Sequence, residues 1–134
     1  MIFFAGINYY AVVVATIVYY FIGFIWYTLL FSEIWGKETG VSIKSPARPK
    51  MWAMVGQFIS TLLFALGIAI ILKLHGNYGI TTGIYVGLLI TLFFVIPINS
   101  GNLFFTGKKS LFLLDVCERA IGSLVIGIII SVWK

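Results

Sequence analysis

Four apolar runs, each long enough to cross a lipid bilayer, leave this chain few folds to choose from. They cover about 8–31, 51–72, 82–105 and 111–133. A spanning helix needs about 20 mostly apolar residues at about 1.5 Å rise each. Composition agrees, with 61% hydrophobic and 10% charged residues in a chain of 134, against roughly 45–50% and 25% in soluble domains. So few polar groups cannot clothe a folded surface for water, and lipid must be much of the solvent. The expected fold is all-α: one domain over 1–134, a membrane-embedded antiparallel four-helix bundle. The first run has no basic segment ahead of it, is too long for a signal peptide and is followed by no small-x-small site. It therefore reads as a span.

Aromatic rings mark the ends of the runs. Tyr9 and Tyr10 open the first, and Trp26 with Tyr27 closes it about 25 Å further on, close to one hydrocarbon thickness. Trp52 opens the second run and Trp133 ends the fourth. The one long connection is 32–50, "SEIWGKETGVSIKSPARPK", with an interfacial piece expected at Ile34–Trp35. The links 73–80 and 106–110 are short turns, which makes neighbouring helices antiparallel.

The net charge of +5 is not a nucleic-acid signal, because no stripe interleaves basic with aromatic residues. Six of the nine basic residues, Lys37, Lys44, Arg48, Lys50, Lys108 and Lys109, lie between apolar runs. The opposite side holds only Lys73 and Lys134. The positive-inside rule then puts loops 32–50 and 106–110 in the cytoplasm and both termini outside. A bacterial cytoplasmic membrane is the expected setting.

Gly79, Gly83 and Gly87 recur at four-residue steps at the start of the third run, and Gly122 and Gly127 stand in the fourth. Gly23, Gly56 and Gly67 offer counterparts. Four-residue spacing lines glycines along one helix stripe, where another backbone can approach closely. Two uses stay open: packing between spans of one chain, or a glycine-rich face that joins two copies in a homodimer. Pro97 lacks an N–H and leaves the Phe93 carbonyl without its helical partner. A kink is expected there, either purely structural or serving as a hinge or a cavity wall.

The fourth run, "SLFLLDVCERAIGSLVIGII", carries Asp115, Glu118 and Arg119 within five residues. On a helix, Asp115, Arg119 and Gly122 fall within about 40° of one meridian, with Glu118 about 60° to one side of Asp115. The i, i+4 spacing lets Asp115 and Arg119 touch. Each unpaired charge near a helix centre costs roughly 2.5–3.5 kcal/mol even on insertion scales, so the three must face protein or water. With antiparallel helices, Gln57, Asn99 and Asn102 collect in the same leaflet as candidate partners, and Glu33 lies just past run one on that side. Two readings stay open: a buried ion pair that fixes helix register, or a cytoplasm-facing polar pocket of Asp115, Glu118, Arg119, Asn99, Asn102 and Gln57. Tyr19 and Tyr20, in mid-span, each need a partner for the hydroxyl.

Catalytic constellations are absent. His75 is the only histidine and falls in an exterior turn; the lone Cys117 can form no intrachain disulfide. There is no metal-ligand spacing, no glycine-rich phosphate loop and no Ser–His–Asp set. Neither a metal nor a cofactor is expected, and an enzyme is not the expected class. Two classes remain: a small transporter or channel-like subunit, whose ion or small-molecule ligand the residues do not specify, or a non-transporting membrane protein whose charges fix packing or dock a partner.

Residues 7–35, "INYYAVVVATIVYYFIGFIWYTLLFSEIW", resemble the first-span signature of the domain-of-unknown-function 1761 family. That pattern runs Asn-Tyr, Gly-x-x-Trp-Tyr, Leu-Phe and a further Trp, met here by Asn8, Tyr9, Gly23, Trp26, Tyr27, Leu30, Phe31 and Trp35. Residues 102–133 are similar to its closing segment: a Leu-Phe end to span three, a short basic turn and a Gly-rich last span. Where the family has Ser-Pro after Trp-Tyr, this chain has Thr28-Leu29, so a proline kink is not implied. The resemblance implies a small four-span integral membrane protein and carries no established activity.

Overall fold

The computed structural model of the protein describes residues 6–39, 51–76 and 78–133, and among them every regular element is a helix. α1 runs Tyr9–Leu30, α2 Ser32–Thr39, α3 Met51–His75, α4 Ile80–Phe104 and α5 Lys109–Val132. Lys44, Arg48, Lys50 and Lys134 lie outside the described residues.

α1, α3 and α4 are long and apolar enough to cross a membrane, and the chain is a membrane protein. Its outer surface agrees: Tyr10, Leu63, Phe93 and Ile98 all point outward, an apolar exposure that a water-soluble monomer does not carry. α5, at 24 residues, falls within the 22 to 25 of the other three and differs in its charged stretch.

The segment YYAVVVATIVYYF is rich in β-branched and aromatic residues that lose side-chain freedom in a helix. In lipid, every backbone group must be satisfied within the segment, and the helix follows. The Asn8 side chain starts it by accepting the Ala11 N–H at 3.2 Å. α3 outruns its predicted end. Lys73, Leu74 and His75 are helical rather than part of a turn, with Lys73 and His75 suited to the negative end of the helix dipole. Gly76, at φ +81°, stops the chain there, and its N–H still donates to the Leu72 carbonyl at 3.0 Å.

Two π turns interrupt the long helices. One, Trp26–Leu30, widens the end of α1, where the Phe31 N–H reaches the Trp26 carbonyl at 3.0 Å. The Thr28 hydroxyl bonds back to the Phe24 carbonyl in the same turn. The other, Thr91–Val95, lies just ahead of Pro97 in α4. The irregularity expected at Pro97 is thus absorbed one turn upstream by an inserted residue, and the helix continues to Phe104.

α5 packs against α1, α3, α4 and α2. It runs antiparallel to α1, since Asn8 meets Trp133, Tyr19 meets Glu118 and Tyr27 meets Asp115. It is antiparallel to α4 as well, with Gly83 against Gly127 and Gly87 against Leu124. These glycines let backbones touch: a Cβ on Gly83 would sit 2.5 Å from the Gly127 carbonyl oxygen, and one on Gly87 2.9 Å from the Leu124 Cα. Gly79, expected to belong to that stripe, does not. It stands ahead of α4 at φ +139° with nothing within 4 Å of its Cβ position, because the chain is still turning out of the α3–α4 link. α1 also lies along α3, with Tyr20 edge-on to Phe58 at 5.3 Å.

Candidate functional site

The charged stretch of α5 turns toward α1. Glu118 is only 6% exposed, and its Oε2 accepts the Tyr19 hydroxyl at 2.7 Å. One turn toward the α5 start, Asp115 Oδ1 accepts the Tyr27 hydroxyl at 2.6 Å. Arg119 Nη1 lies 3.5 Å from the same Oδ1 and 3.4 Å from the Asp115 carbonyl oxygen, a long contact by hydrogen-bond standards. The Arg119 side chain is 38% exposed, so its guanidinium keeps most of its donors at the margin of the seam.

Tyr19, Gly23 and Tyr27 come at four-residue steps and therefore share one face of α1. Tyr19 stands half-way along α1, so its carboxylate partner lies deep in the apolar layer. The Tyr19 ring fits only because Gly122 of α5 has no side chain. Gly23 opens room in the other direction: a Cβ there would approach Glu118 Oε1 to 3.4 Å. Below it, the Tyr27 ring packs on Trp35 of α2 at 5.2 Å between centroids. The Ser123 hydroxyl, fully buried, donates to the Arg119 carbonyl at 2.8 Å.

The structure thus brings together Asp115, Glu118 and Arg119 and leaves the other expected members apart. Gln57 is exposed on α3, and its carbonyl accepts the Thr61 hydroxyl. The Asn99 side chain donates to its own Val95 carbonyl at 2.8 Å. The Asn102 carbonyl accepts the Lys108 N–H at 2.7 Å and closes the α4–α5 turn. Among the described residues none of these three bonds to the seam. Arg119 pairs with Asp115, and Glu118 takes its hydrogen bond from Tyr19 of α1 instead of from one of those three. Tyr20, by contrast, donates to the Met54 carbonyl at 3.0 Å.

Sequence reasoning placed Tyr27 in an aromatic belt and overlooked its role at Asp115. The available signal was the Tyr-x-x-x-Gly-x-x-x-Tyr stripe of α1, at the spacing that matches Asp115, Glu118 and Gly122. Among the described residues no group of three or more His, Cys, Asp or Glu is placed to hold a metal ion.

The family described as "Protein of unknown function (DUF1761)" matches residues 10–131. The chain belongs to this family. No curated protein and no solved structure matches the chain. The matched range takes in Tyr19, Gly23 and Tyr27 of α1, which meet Glu118 and Asp115, together with the whole charged stretch of α5.

Proposed function

We propose that the protein is a four-span integral membrane protein, an antiparallel bundle acting as a small transporter or channel-like subunit with the α1–α5 seam as its polar site. α5 is the fourth span, its 24 residues covering about 36 Å. Loops 32–50 and 106–110 face the cytoplasm and the termini face outside, as the six-to-two distribution of basic residues supports. The observation that carries the reading is Glu118, a buried carboxylate half-way through an apolar layer, held by one tyrosine hydroxyl and faced by a glycine. Ionisable groups at such depth mark ion or proton pathways by default. Two acids and one base leave one negative charge in the seam for a proton or small cation to balance. Both π turns support a working role, since such turns are frequent at functional sites; the one in α1 carries Tyr27 and the one in α4 packs on α5.

A second reading, a lock that fixes how α1 registers on α5, is favoured by a specific observation. Each acid already holds a tyrosine hydroxyl, and cavities of about 210 and 470 Å³ open at the other end, around Asn8 and His75. A homodimer would use α3, where Gly56 and Gly67 have nothing within 4 Å.

The two readings separate in proteoliposomes. Proton, sodium and potassium flux is followed for the wild type, Glu118→Gln and Asp115→Asn, with folding checked in detergent. Flux lost in a folded Glu118→Gln variant supports transport. No flux in the wild type, with folding lost in both variants, supports the lock.

A further inference from the structure

The end of the molecule that holds α2 and the α4–α5 turn is both basic and aromatic. α2 packs against α5 and exposes Ile34 and Lys37. At the same end, α4 closes on Phe104 and is followed by Phe105, 91% exposed, three residues before Lys108 and four before the exposed Lys109. Exposed apolar and aromatic side chains interleaved with lysines suit the level where acyl chains meet headgroups. Among the described residues this end carries the exposed Lys37 and Lys109 and the half-buried Lys108 against the exposed Glu33, and the sequence adds Glu38 beside Lys37.

This surface is wired to the buried seam. Trp35 lies in α2 between Ile34 and Lys37, and its ring rests on Tyr27 at 5.2 Å. Tyr27 in turn donates to Asp115, which holds Arg119. A shift of α2 toward or away from the headgroups therefore moves a ring whose neighbour donates the 2.6 Å hydrogen bond to Asp115.

We propose that this end of the protein binds anionic phospholipid headgroups through Lys37 and Lys109, and that α2 relays the binding to the Tyr27–Asp115–Arg119 network through Trp35. The inference rests on the four-span placement and not on transport. Positive charge next to a bilayer favours anionic lipid by about 1 kcal/mol per lysine, or about 5-fold per residue. A lysine pair thus yields a selectivity that a neutral lipid cannot match. The aromatic rim supplies anchorage to any lipid, and the lysines supply the choice.

The test uses the full-length protein in vesicles of phosphatidylcholine with phosphatidylglycerol, in which one lipid or the other carries brominated chains that quench tryptophan. The difference between wild type and Trp35→Phe isolates the Trp35 signal from Trp26, Trp52 and Trp133. Brominated phosphatidylglycerol should quench Trp35 more than brominated phosphatidylcholine does. Lys37→Gln with Lys109→Gln should erase most of that preference, while quenching by phosphatidylcholine persists. Equal quenching by both lipids in the wild type overturns the inference, as does a preference untouched by the double substitution. The relay has its own arm: phosphatidylglycerol should raise the thermal midpoint of the wild type more than that of Tyr27→Phe, and an equal rise removes the relay. Should neither brominated lipid quench any tryptophan, the membrane placement itself fails, an outcome distinct from loss of lipid choice.

Discussion

Replacing Gly122 with alanine loads the α1–α5 seam with one methyl group at its tightest point. An ideal Cβ there would lie 2.6 Å from the Tyr19 Cδ1 and closer still to Cε1 and Cζ. Carbon atoms settle at about 3.5–4.0 Å, so the ring or α5 must give way by about 1 Å. The hydroxyl rides on Cζ, and a displaced ring cannot keep its 2.7 Å bond to Glu118. Overpacking costs about 1–3 kcal/mol. An interhelical hydrogen bond in a membrane is worth about 0.6 and at most about 1.7 kcal/mol. Alanine returns about 0.8–1 kcal/mol as the better helix former. The net is a loss of about 2 kcal/mol, or about 30-fold in the folding equilibrium. Reversible unfolding in mixed micelles on titration with sodium dodecyl sulfate measures it. Gly56→Ala is the control, because nothing lies within 4 Å of that position; it should be neutral or gain up to about 1 kcal/mol. In a Tyr19→Leu background the Gly122→Ala cost should shrink, since the ring it collides with is gone. Wild-type stability for Gly122→Ala, with Gly56→Ala behaving as stated, would refute the seam as drawn.

Gly83→Ala should destabilise by about 1–3 kcal/mol in the same assay, because its Cβ would meet the Gly127 carbonyl at 2.5 Å and backbone yields less readily than a ring. A Tyr19→Phe and Glu118→Ala double-mutant cycle should give a coupling of about 0.6–1.7 kcal/mol, and a coupling of zero would remove the hydrogen bond at 2.7 Å from the energetics. Topology is open to cysteine labelling in a Cys117→Ser background: His75→Cys should react with impermeant reagents from outside the cell and Thr106→Cys only after permeabilisation, the reverse pattern inverting the proposed orientation.

The runs of apolar residues were legible without coordinates, because length and hydropathy alone decide whether a segment can cross lipid; their ends were less so, since α3 continues through 73–75. The contact of Asp115 with Arg119 was legible too, since it lies within a single helix and follows from the period of 3.6 residues. Partners on other helices were not legible in the same way. Gln57, Asn99 and Asn102 were expected at the depth of Asp115 and Glu118, yet depth constrains only one coordinate. Rotation about each helix axis is the other, and side-chain volume sets it: Gly122 accepts the Tyr19 ring, and Gly83 and Gly87 hold α4 against α5. Sequence by itself determined that this chain lives in a membrane as helices, since lipid forbids unbonded backbone. Only the tertiary structure decided which residues surround the buried charges, because close contact between helices selects one rotation among several that hydropathy treats alike.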